Sequence, residues 1–336
     1  MNAWIVFLLC ALGIVIAGVR LAPYGERIGR ALKIGQGWIG LIFLATLTSI
    51  PEMTTTVTGA SIGAPDIALG NALGSNLFNV AIVALMDILL LRRRPGSFLA
   101  QVRPYHKISG GMAILLTGLV MIGVAWKPSA SAFGVSPISV LLLAGYCLGI
   151  FLLFRAERAD AEGQDESAEP SAELTVLRAV IGFLVCGAII VVSGIFLVRA
   201  SKDIALSTGL SASLMGAILV AIVTSLPELA TSLGALRIGA HDMIVANVFG
   251  SNMFNILTVF FADVAYRGGS IYAGLGEGGT DMLFVGAGGI ALTGIAVASI
   301  AVRARRHVFG IGLDSIVLLA VYFAVTAVII GRGIQL

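Results

Sequence analysis

The sequence predicts an all-α membrane protein with ten transmembrane helices, arranged as two five-helix repeats of opposite topology. Three observations carry this prediction: an apolar composition, ten apolar runs of membrane-spanning length, and a duplication that relates the two halves. The 336 residues are 58% hydrophobic and 12% charged, with a mean hydropathy of +1.02. A soluble domain carries about 25% charged residues, so this chain has too few to cover a water-facing surface.

Ten apolar segments each approach the ~20 residues that a helix needs to cross the hydrocarbon core. They are residues 2–22, 36–60, 67–91, 107–126, 136–155, 177–199, 212–236, 243–266, 281–302 and 309–331. The stretch 156–175 is rich in Glu, Asp, Ser and Pro and has no apolar run, which is typical of a flexible linker. We therefore expect a first repeat at 1–155, an acidic linker at 156–176 and a second repeat at 177–336.

The basic residues predict the orientation. Sixteen of the 21 Lys and Arg residues fall in or beside the loops that follow the odd-numbered spans. Because cytoplasmic loops carry the excess of Lys and Arg, the linker is predicted to be cytoplasmic and both termini outside. The first span lacks a basic n-region and a clean cleavage site, so it is expected to be a retained helix rather than a signal peptide.

One repeat runs through the whole chain. The segment ATLTSIPE (45–52) recurs as AIVTSLPE (221–228), and the same offset of 176 carries NALGSNLFN (71–79) onto NVFGSNMFN (247–255). Between 40 and 79, 18 of 40 positions are identical to their partners. Because each unit has an odd number of spans, the second unit enters the membrane from the opposite side. Inverted repeats of this kind are known from many secondary transporters.

Two glutamates, Glu52 and Glu228, occupy equivalent positions midway along the second and seventh spans. An ionisable residue at membrane depth costs several kcal/mol and by default indicates function. The repeat favours mutual approach of the two carboxylates. In a low dielectric such a pair repels, so at least one must be protonated or the pair must hold a cation.

The neighbours of both glutamates offer oxygen atoms. Pro51 and Pro227 disrupt their helices and free backbone carbonyls, and a bend there is expected to expose the carbonyls of Ala45 and Ala221. Side-chain oxygens come from Thr48, Ser49, Ser75, Asn76 and Asn79 in the first half, and from Thr224, Ser225, Ser251, Asn252 and Asn255 in the second. An all-oxygen set suits sodium, calcium or magnesium rather than zinc or copper.

Each of these features also has a structural explanation. Small polar residues in membrane helices often only pack and hydrogen-bond, and a lone intramembrane Glu can be structural. The duplication of both motifs at identical spacing favours a functional site. For Asp87 and Asp263, late in the third and eighth spans, we expect solvated or helix-end roles, with a role in an ion pathway as the alternative.

The duplicated motifs T-S-x-P-E and G-S-N-x-x-N resemble the alpha-repeats of the cation/calcium antiporter superfamily, specifically its prokaryotic sodium/calcium exchangers, over the whole chain. The resemblance implies a central site in which Glu52 and Glu228 are shared carboxylate ligands, with the remaining ligands and their supporting residues around them. The implied ligands are Ala45, Thr48, Ser75, Asn79, Ala221, Thr224, Ser251 and Asn255, supported by Ser49, Pro51, Asn76, Ser225, Pro227 and Asn252. It also implies an inner (plasma) membrane location in a prokaryote.

The sequence departs from the family pattern in two places. The family usually has Gly where Leu47 and Val223 stand, which bears on the local backbone and on cation preference. Some relatives, including potassium-dependent ones, have Asp where this chain has Asn255, so the neutral residue argues against potassium dependence. The proton-coupled branch typically shows G-N-x-x-E, and the T-S-x-P-E pattern here favours sodium as the driving ion.

The predicted function is therefore secondary antiport of sodium against calcium, with no cofactor. The alternatives are a proton-coupled calcium or magnesium antiporter and, less favoured, a passive cation channel. An enzyme is not expected, since the chain has no H-E-x-x-H or paired-Asp pattern. The expected partners are small cations and the lipid bilayer, and no feature indicates nucleic-acid binding.

Overall fold

The computed structural model describes residues 3–32, 36–90, 97–129, 134–161, 173–208, 221–275, 279–303, 307–308 and 311–333. Thirteen α-helices account for most of them. They are α1 (Ala3–Leu32), α2 (Gln36–Trp38), α3 (Ala45–Thr48), α4 (Ile50–Ser61), α5 (Pro65–Leu90), α6 (His106–Trp126), α7 (Pro137–Ala161), α8 (Glu173–Thr208), α9 (Ala221–Thr224), α10 (Leu226–Arg237), α11 (His241–Ala265), α12 (Gly279–Val302) and α13 (Leu313–Gly333). A π-helical segment, Ile39–Leu44, joins α2 to α3, and a 3-10 turn covers Phe98–Gln101.

The predicted all-helical architecture has one small addition. Two short strands, β1 (His307–Val308) and β2 (Ile311–Gly312), pair antiparallel just before α13. Within the described ranges, eight helices are long and apolar enough to cross a membrane, or nine if the bent pair Ile39–Thr48 and Ile50–Ser61 forms one span. The predicted seventh span, 212–236, is described only from Ala221 onward, so the prediction of ten spans stays a prediction.

The helix boundaries repeat with the offset of 176 that the sequence shows. α3 and α4 correspond to α9 and α10 at both ends. The turn that leads into α5 and the one that leads into α11 each contain a glycine of positive φ, Gly63 at 78° and Gly239 at 74°. These two equivalent turns need glycine because other residues rarely adopt that conformation.

Several helices are longer than the sequence predicts. α1 continues past Pro23 to Leu32, whereas the predicted first span ends at 22. A proline inside a membrane helix is tolerated where neighbouring groups satisfy the freed backbone. α7 and α8 extend into the predicted linker, because stretches such as RAERADA consist mostly of good helix formers. Of the predicted linker 156–176, only residues 162–172 lie outside the described residues.

The centre of the molecule is formed by α5 and α11. In their apolar stretches 78% and 83% of the residues are buried, against 28% for α1. The two helices run antiparallel, as the residue Phe98 shows. Its backbone N–H donates to Asp87 near the end of α5 (2.7 Å), and its ring packs against that of His241, the first residue of α11, at 5.3 Å between centroids.

Asp87 and Asp263 are buried and accept hydrogen bonds at helix ends, each joining the two halves. Asp87 accepts the N–H groups of Phe98 (2.7 Å) and of Gly312 in the other half (2.8 Å). Asp263 accepts those of Ile271 (2.7 Å) and of Ser136 in the other half (2.6 Å). Gly312 and Ser136 are themselves repeat partners. The expected helix-end role thus fits the geometry, whereas solvation of these carboxylates was the wrong expectation.

We expect Asp87→Asn and Asp263→Asn to lower thermal stability while leaving cation affinity unchanged. An amide replaces one acceptor oxygen by a donor, so one backbone N–H loses its partner at a cost of about 1–3 kcal/mol. The check is thermal unfolding of purified protein, followed by flux measurement over a range of calcium concentrations. A raised KM without a loss of stability would instead support the ion-pathway alternative.

Candidate cation site

Both motif helices break one residue after a threonine. Ser49 separates α3 from α4 with φ −89° and ψ 7°, and Ser225 separates α9 from α10 with φ −86° and ψ 8°. The first-half break bends the chain by 47°. Pro51 and Pro227 fall in the first turn of the new helices, where a missing N–H costs nothing. Each break therefore starts a fresh helix whose positive end bears the glutamate.

The two glutamates are completely buried and each is bonded to a serine of the other half. Ser49 Oγ donates to Glu228 Oε1 at 2.9 Å, and Ser225 Oγ donates to Glu52 Oε1 at 3.1 Å. Because Ser49 and Ser225 are repeat partners, as are Glu52 and Glu228, the two contacts are equivalent. Each glutamate therefore contacts the motif of the opposite half. Among the described residues, no lysine, arginine or histidine forms an ion pair with either carboxylate.

Hydroxyl groups from both halves surround the carboxylates in a second exchanged pair of contacts. Thr48 Oγ1 lies 3.5 Å from Ser251 Oγ, and Thr224 Oγ1 lies 3.3 Å from Ser75 Oγ. All four residues are buried. The broken helix of each half thus contacts the central helix of the other half: α3 contacts α11, and α9 contacts α5.

Two asparagines join α5 to α11 reciprocally. Asn76 Nδ2 donates to the backbone carbonyl of Asn252 at 3.1 Å, and Asn252 Nδ2 donates to that of Asn76 at 3.3 Å. Asn76 and Asn252 are repeat partners of each other, so their mutual contact lies on the axis that relates the two halves. Asn76 and Asn252 therefore join the two central helices, and their role in supporting cation ligands stays a prediction.

Several buried oxygen atoms at the centre have no hydrogen-bond partner. In the described part of the chain these include Oε2 of both Glu52 and Glu228, and Oδ1 of both Asn79 and Asn255. The Oδ1 atoms of Asn76 and Asn252 are also unpartnered. A buried unsatisfied polar group costs about 1–3 kcal/mol, and more if charged. Because this cluster combines carboxylate, amide and hydroxyl oxygens, a hard cation is the group that would satisfy it.

The carbonyls of Ala45 and Ala221 are less free than the sequence suggests. Ala45 O accepts the Ser49 N–H at 3.1 Å, and Ala221 O accepts that of Ser225 at 3.1 Å. The hydroxyls of Thr48 and Thr224 also donate to these two carbonyls, at 3.4 and 3.2 Å. The role of both carbonyls as cation ligands stays a prediction.

The bulky residues at the usual glycine positions are accommodated by packing. A Cβ at Gly187 of α8 would lie 3.1 Å from Leu47, so the absence of that side chain makes room for the leucine. Val223 belongs to an apolar cluster with Ile14, Leu197 and Ala230. The two departures thus alter contacts with α1 and α8 and leave the break at Ser49 and Ser225 in place.

Asn71 and Asn247 are polar residues next to the site to which the sequence analysis assigned no role. Asn71 Nδ2 donates to the backbone carbonyl of Glu52 (3.2 Å) and to Thr56 Oγ1 (3.0 Å). Asn247 Nδ2 donates to Thr231 Oγ1 (3.1 Å). The available signal was their position as the first residue of each repeated N-x-x-G-S-N motif.

The family of the chain follows from its similarity to known proteins. A family model described as "Sodium/calcium exchanger protein" matches residues 2–156 and 178–331. The chain belongs to the sodium/calcium exchanger family. The resemblance seen in the duplicated motifs is thereby confirmed, and membership identifies an integral membrane protein of the cation/calcium antiporter superfamily.

Curated relatives and solved structures agree with this membership. CaxA of Alkalimonas amylolytica, named as an antiporter, is 33% identical over 76% of this chain and 78% of its own length. The inner membrane protein YrbG of Escherichia coli K12 is 28% identical over 75% and 78%. A structure of the sodium-calcium exchanger NCX_Mj, soaked with 2.5 mM Na+ and 0.1 mM Ca2+, matches with a TM-score of 0.70 and 23% identity over 97% of this chain and 98% of that chain. At that identity the likeness shows the fold.

Proposed function

We propose that this chain is a secondary active antiporter that exchanges sodium for calcium through the central oxygen site. The observation that carries the proposal is the pair of buried carboxylates, Glu52 and Glu228, each with one oxygen bonded to the opposite half and one oxygen unpartnered. Two carboxylates in a dry interior need compensating positive charge, either from protonation or from a bound cation. The relatives CaxA and NCX_Mj, named as an antiporter and a sodium-calcium exchanger, support cations as that charge.

We assign the cation ligands to the residues that the motifs indicate. They are Ala45, Thr48, Glu52, Ser75 and Asn79, with Ala221, Thr224, Glu228, Ser251 and Asn255. The unpartnered amides of Asn79 and Asn255 support their inclusion. Ser49, Pro51, Asn76 and their partners Ser225, Pro227 and Asn252 position these ligands. Calcium and sodium are both hard cations that oxygen ligands suit.

Alternating access follows from two inverted five-helix units at 1–155 and 177–336, joined by a cytoplasmic linker. The antiparallel α5 and α11 and the exchanged contacts of Ser49 and Ser225 support this arrangement. Two near-equal units of opposite orientation can exchange roles, opening the central site first to one side and then to the other. We place both termini outside, in the inner membrane of a prokaryote.

Obligatory exchange follows from charge. An empty site leaves two carboxylates without compensation, and occluding it in the membrane interior is costly. One calcium ion or several sodium ions remove that cost. The carrier therefore changes sides only when loaded, so that sodium moving inward drives calcium outward.

The test uses purified protein in liposomes with labelled calcium. We expect calcium flux to follow an imposed sodium gradient, to stop when that gradient is collapsed, and to survive collapse of the proton gradient alone. Flux that stops only with the proton gradient would establish the proton-coupled alternative. Flux that persists without any counter-ion would establish a channel.

A further inference from the structure

A layer of polar side chains lies one helical turn beyond the central site in each half. In the first half it consists of Thr55, Thr56 and Asn71, which we call the Asn71 rung. In the second half it consists of Thr231, Ser232 and Asn247, which we call the Asn247 rung. All six side chains are buried. Neither rung contains any of the cation ligands assigned above.

The rungs continue the polar stripes of the helices that carry the site. Asn71 lies four residues before Ser75 on α5, and Asn247 lies four residues before Ser251 on α11. Residues four apart share one face of a helix. Thr55 and Thr56 likewise follow Glu52 by three and four residues on α4, which again places them on the face of the glutamate. The site and the rungs thus form one continuous polar track.

The two rungs lie on opposite sides of the site. His106 at the start of α6 lies 3.0 Å from Asp242 at the start of α11. Lys127, just after the other end of α6, donates to the carbonyl of Leu275, beyond the C-terminal end of α11, at 3.0 Å, and α5 runs antiparallel to α11. α5 and α11 therefore begin at opposite membrane faces. Each rung lies nearer the starting end of its own helix, so each faces a different side of the membrane.

Each rung contains a buried oxygen with no hydrogen-bond partner among the described residues. In the Asn71 rung it is Thr55 Oγ1, and in the Asn247 rung these are Ser232 Oγ and Asn247 Oδ1. These residues are 1–2% exposed. Hydroxyls in membrane helices normally bond to a backbone carbonyl or a neighbour, as Thr231 does to Pro227 O at 2.9 Å. Buried free oxygens beside a cation site point to a ligand.

The second half leaves more of its rung free. Asn71 donates to both Glu52 and Thr56, and its Oδ1 lies 3.5 Å from Thr224 Oγ1. Asn247 donates only to Thr231, and its Oδ1 stays free. Repeat-equivalent residues therefore differ in this conformation: the Asn71 rung is largely bonded within the protein, and the Asn247 rung offers two free oxygens.

We propose that each rung is a transfer position, in which a partly dehydrated sodium or calcium ion is held on its way between the central site and one membrane face. This proposal rests on the proposed function. The amide and hydroxyl oxygens replace part of the water shell that the ion gives up, and they carry no charge that would trap it. In this conformation the Asn247 rung offers the larger number of unpartnered oxygens to an ion.

The test removes the free hydroxyls, Thr55→Val and Ser232→Ala, because neither hydroxyl has a hydrogen-bond partner among the residues that the structure describes. If these two hydroxyls only fill space, both variants should fold and transport normally. As transfer ligands, they should each raise the KM for calcium about tenfold at one face. The measurement is sodium-dependent exchange of labelled calcium in right-side-out and everted membrane vesicles, with Thr58→Ala, an exposed position on the same helix, as the control.

The proposal requires the two variants to act at opposite faces. Equal effects of either variant on both faces, or no effect, would overturn it. The proposed function fails separately: in that case the wild-type vesicles themselves would show no sodium-dependent calcium flux at either face. Thermal unfolding of both variants checks that folding is intact. Thr55→Ser, which keeps the hydroxyl, should have the wild-type KM.

Discussion

Replacing either central glutamate by glutamine, Glu52→Gln or Glu228→Gln, is expected to abolish sodium-gradient-driven calcium flux. Glutamine keeps the shape and one oxygen but removes the negative charge that compensates a divalent cation. In a low-dielectric interior such a pairing is worth several kcal/mol, and each 1.4 kcal/mol is a factor of ten in affinity. We therefore expect a loss of at least about a hundredfold in flux, measured with labelled calcium in liposomes.

Folding is not expected to suffer from these changes, since removing a buried charge that lacks a basic partner relieves a desolvation cost. Glu26→Gln is the matched control. That carboxylate lies near the end of α1 and is paired with exposed Arg30 at 2.6 Å, and its loss should leave flux unchanged. If both central variants kept wild-type flux, the site would have to lie elsewhere.

The double variant Ser49→Ala with Ser225→Ala is expected to raise the KM for calcium by about 10- to 100-fold while exchange remains measurable. These two hydroxyls are the groups that tie each glutamate to the opposite half, at 2.9 and 3.1 Å. A hydrogen bond to a charged group contributes about 1.5–3 kcal/mol. Its loss frees the carboxylate to leave the geometry that a cation requires.

The two single variants provide an internal check, because the repeat makes the serines equivalent. Each should give a smaller rise in KM than the double variant. Ser61→Ala, which removes an exposed hydroxyl bonded only to Thr58 O at the end of α4, is the control. An unchanged KM in the double variant would mean that the serines only pack, as small polar residues in membrane helices often do.

Much of this site could be predicted from the sequence because the duplication supplies its own alignment. The offset of 176 marks Glu52 and Glu228 as equivalent, and the structure places them in matching contacts with Ser225 and Ser49. The prolines predict a disruption of their helices, and α4 and α10 begin one residue before them. The repeated motifs and the prolines act on residues close to them in sequence, so a sequence pattern can predict their effects.

Contacts between distant segments could not be predicted in the same way. The burial of Asp87 depends on Gly312, more than two hundred residues away, and no local pattern distinguishes that environment from a solvated helix end. The length of α1 past Pro23 depends on packing against other helices, which overrides the usual effect of proline. Asn71 was missed for a third reason: its importance lies in the carbonyl of Glu52 to which it donates.

The most direct measurement of the central claim is equilibrium binding of labelled calcium to the purified protein, with sodium as competitor. We expect that the wild type binds calcium, that sodium displaces it, and that the double variant Glu52→Gln with Glu228→Gln binds none. Calcium binding of wild-type affinity in that double variant, at a site that sodium still empties, would contradict a cation site built on these two carboxylates.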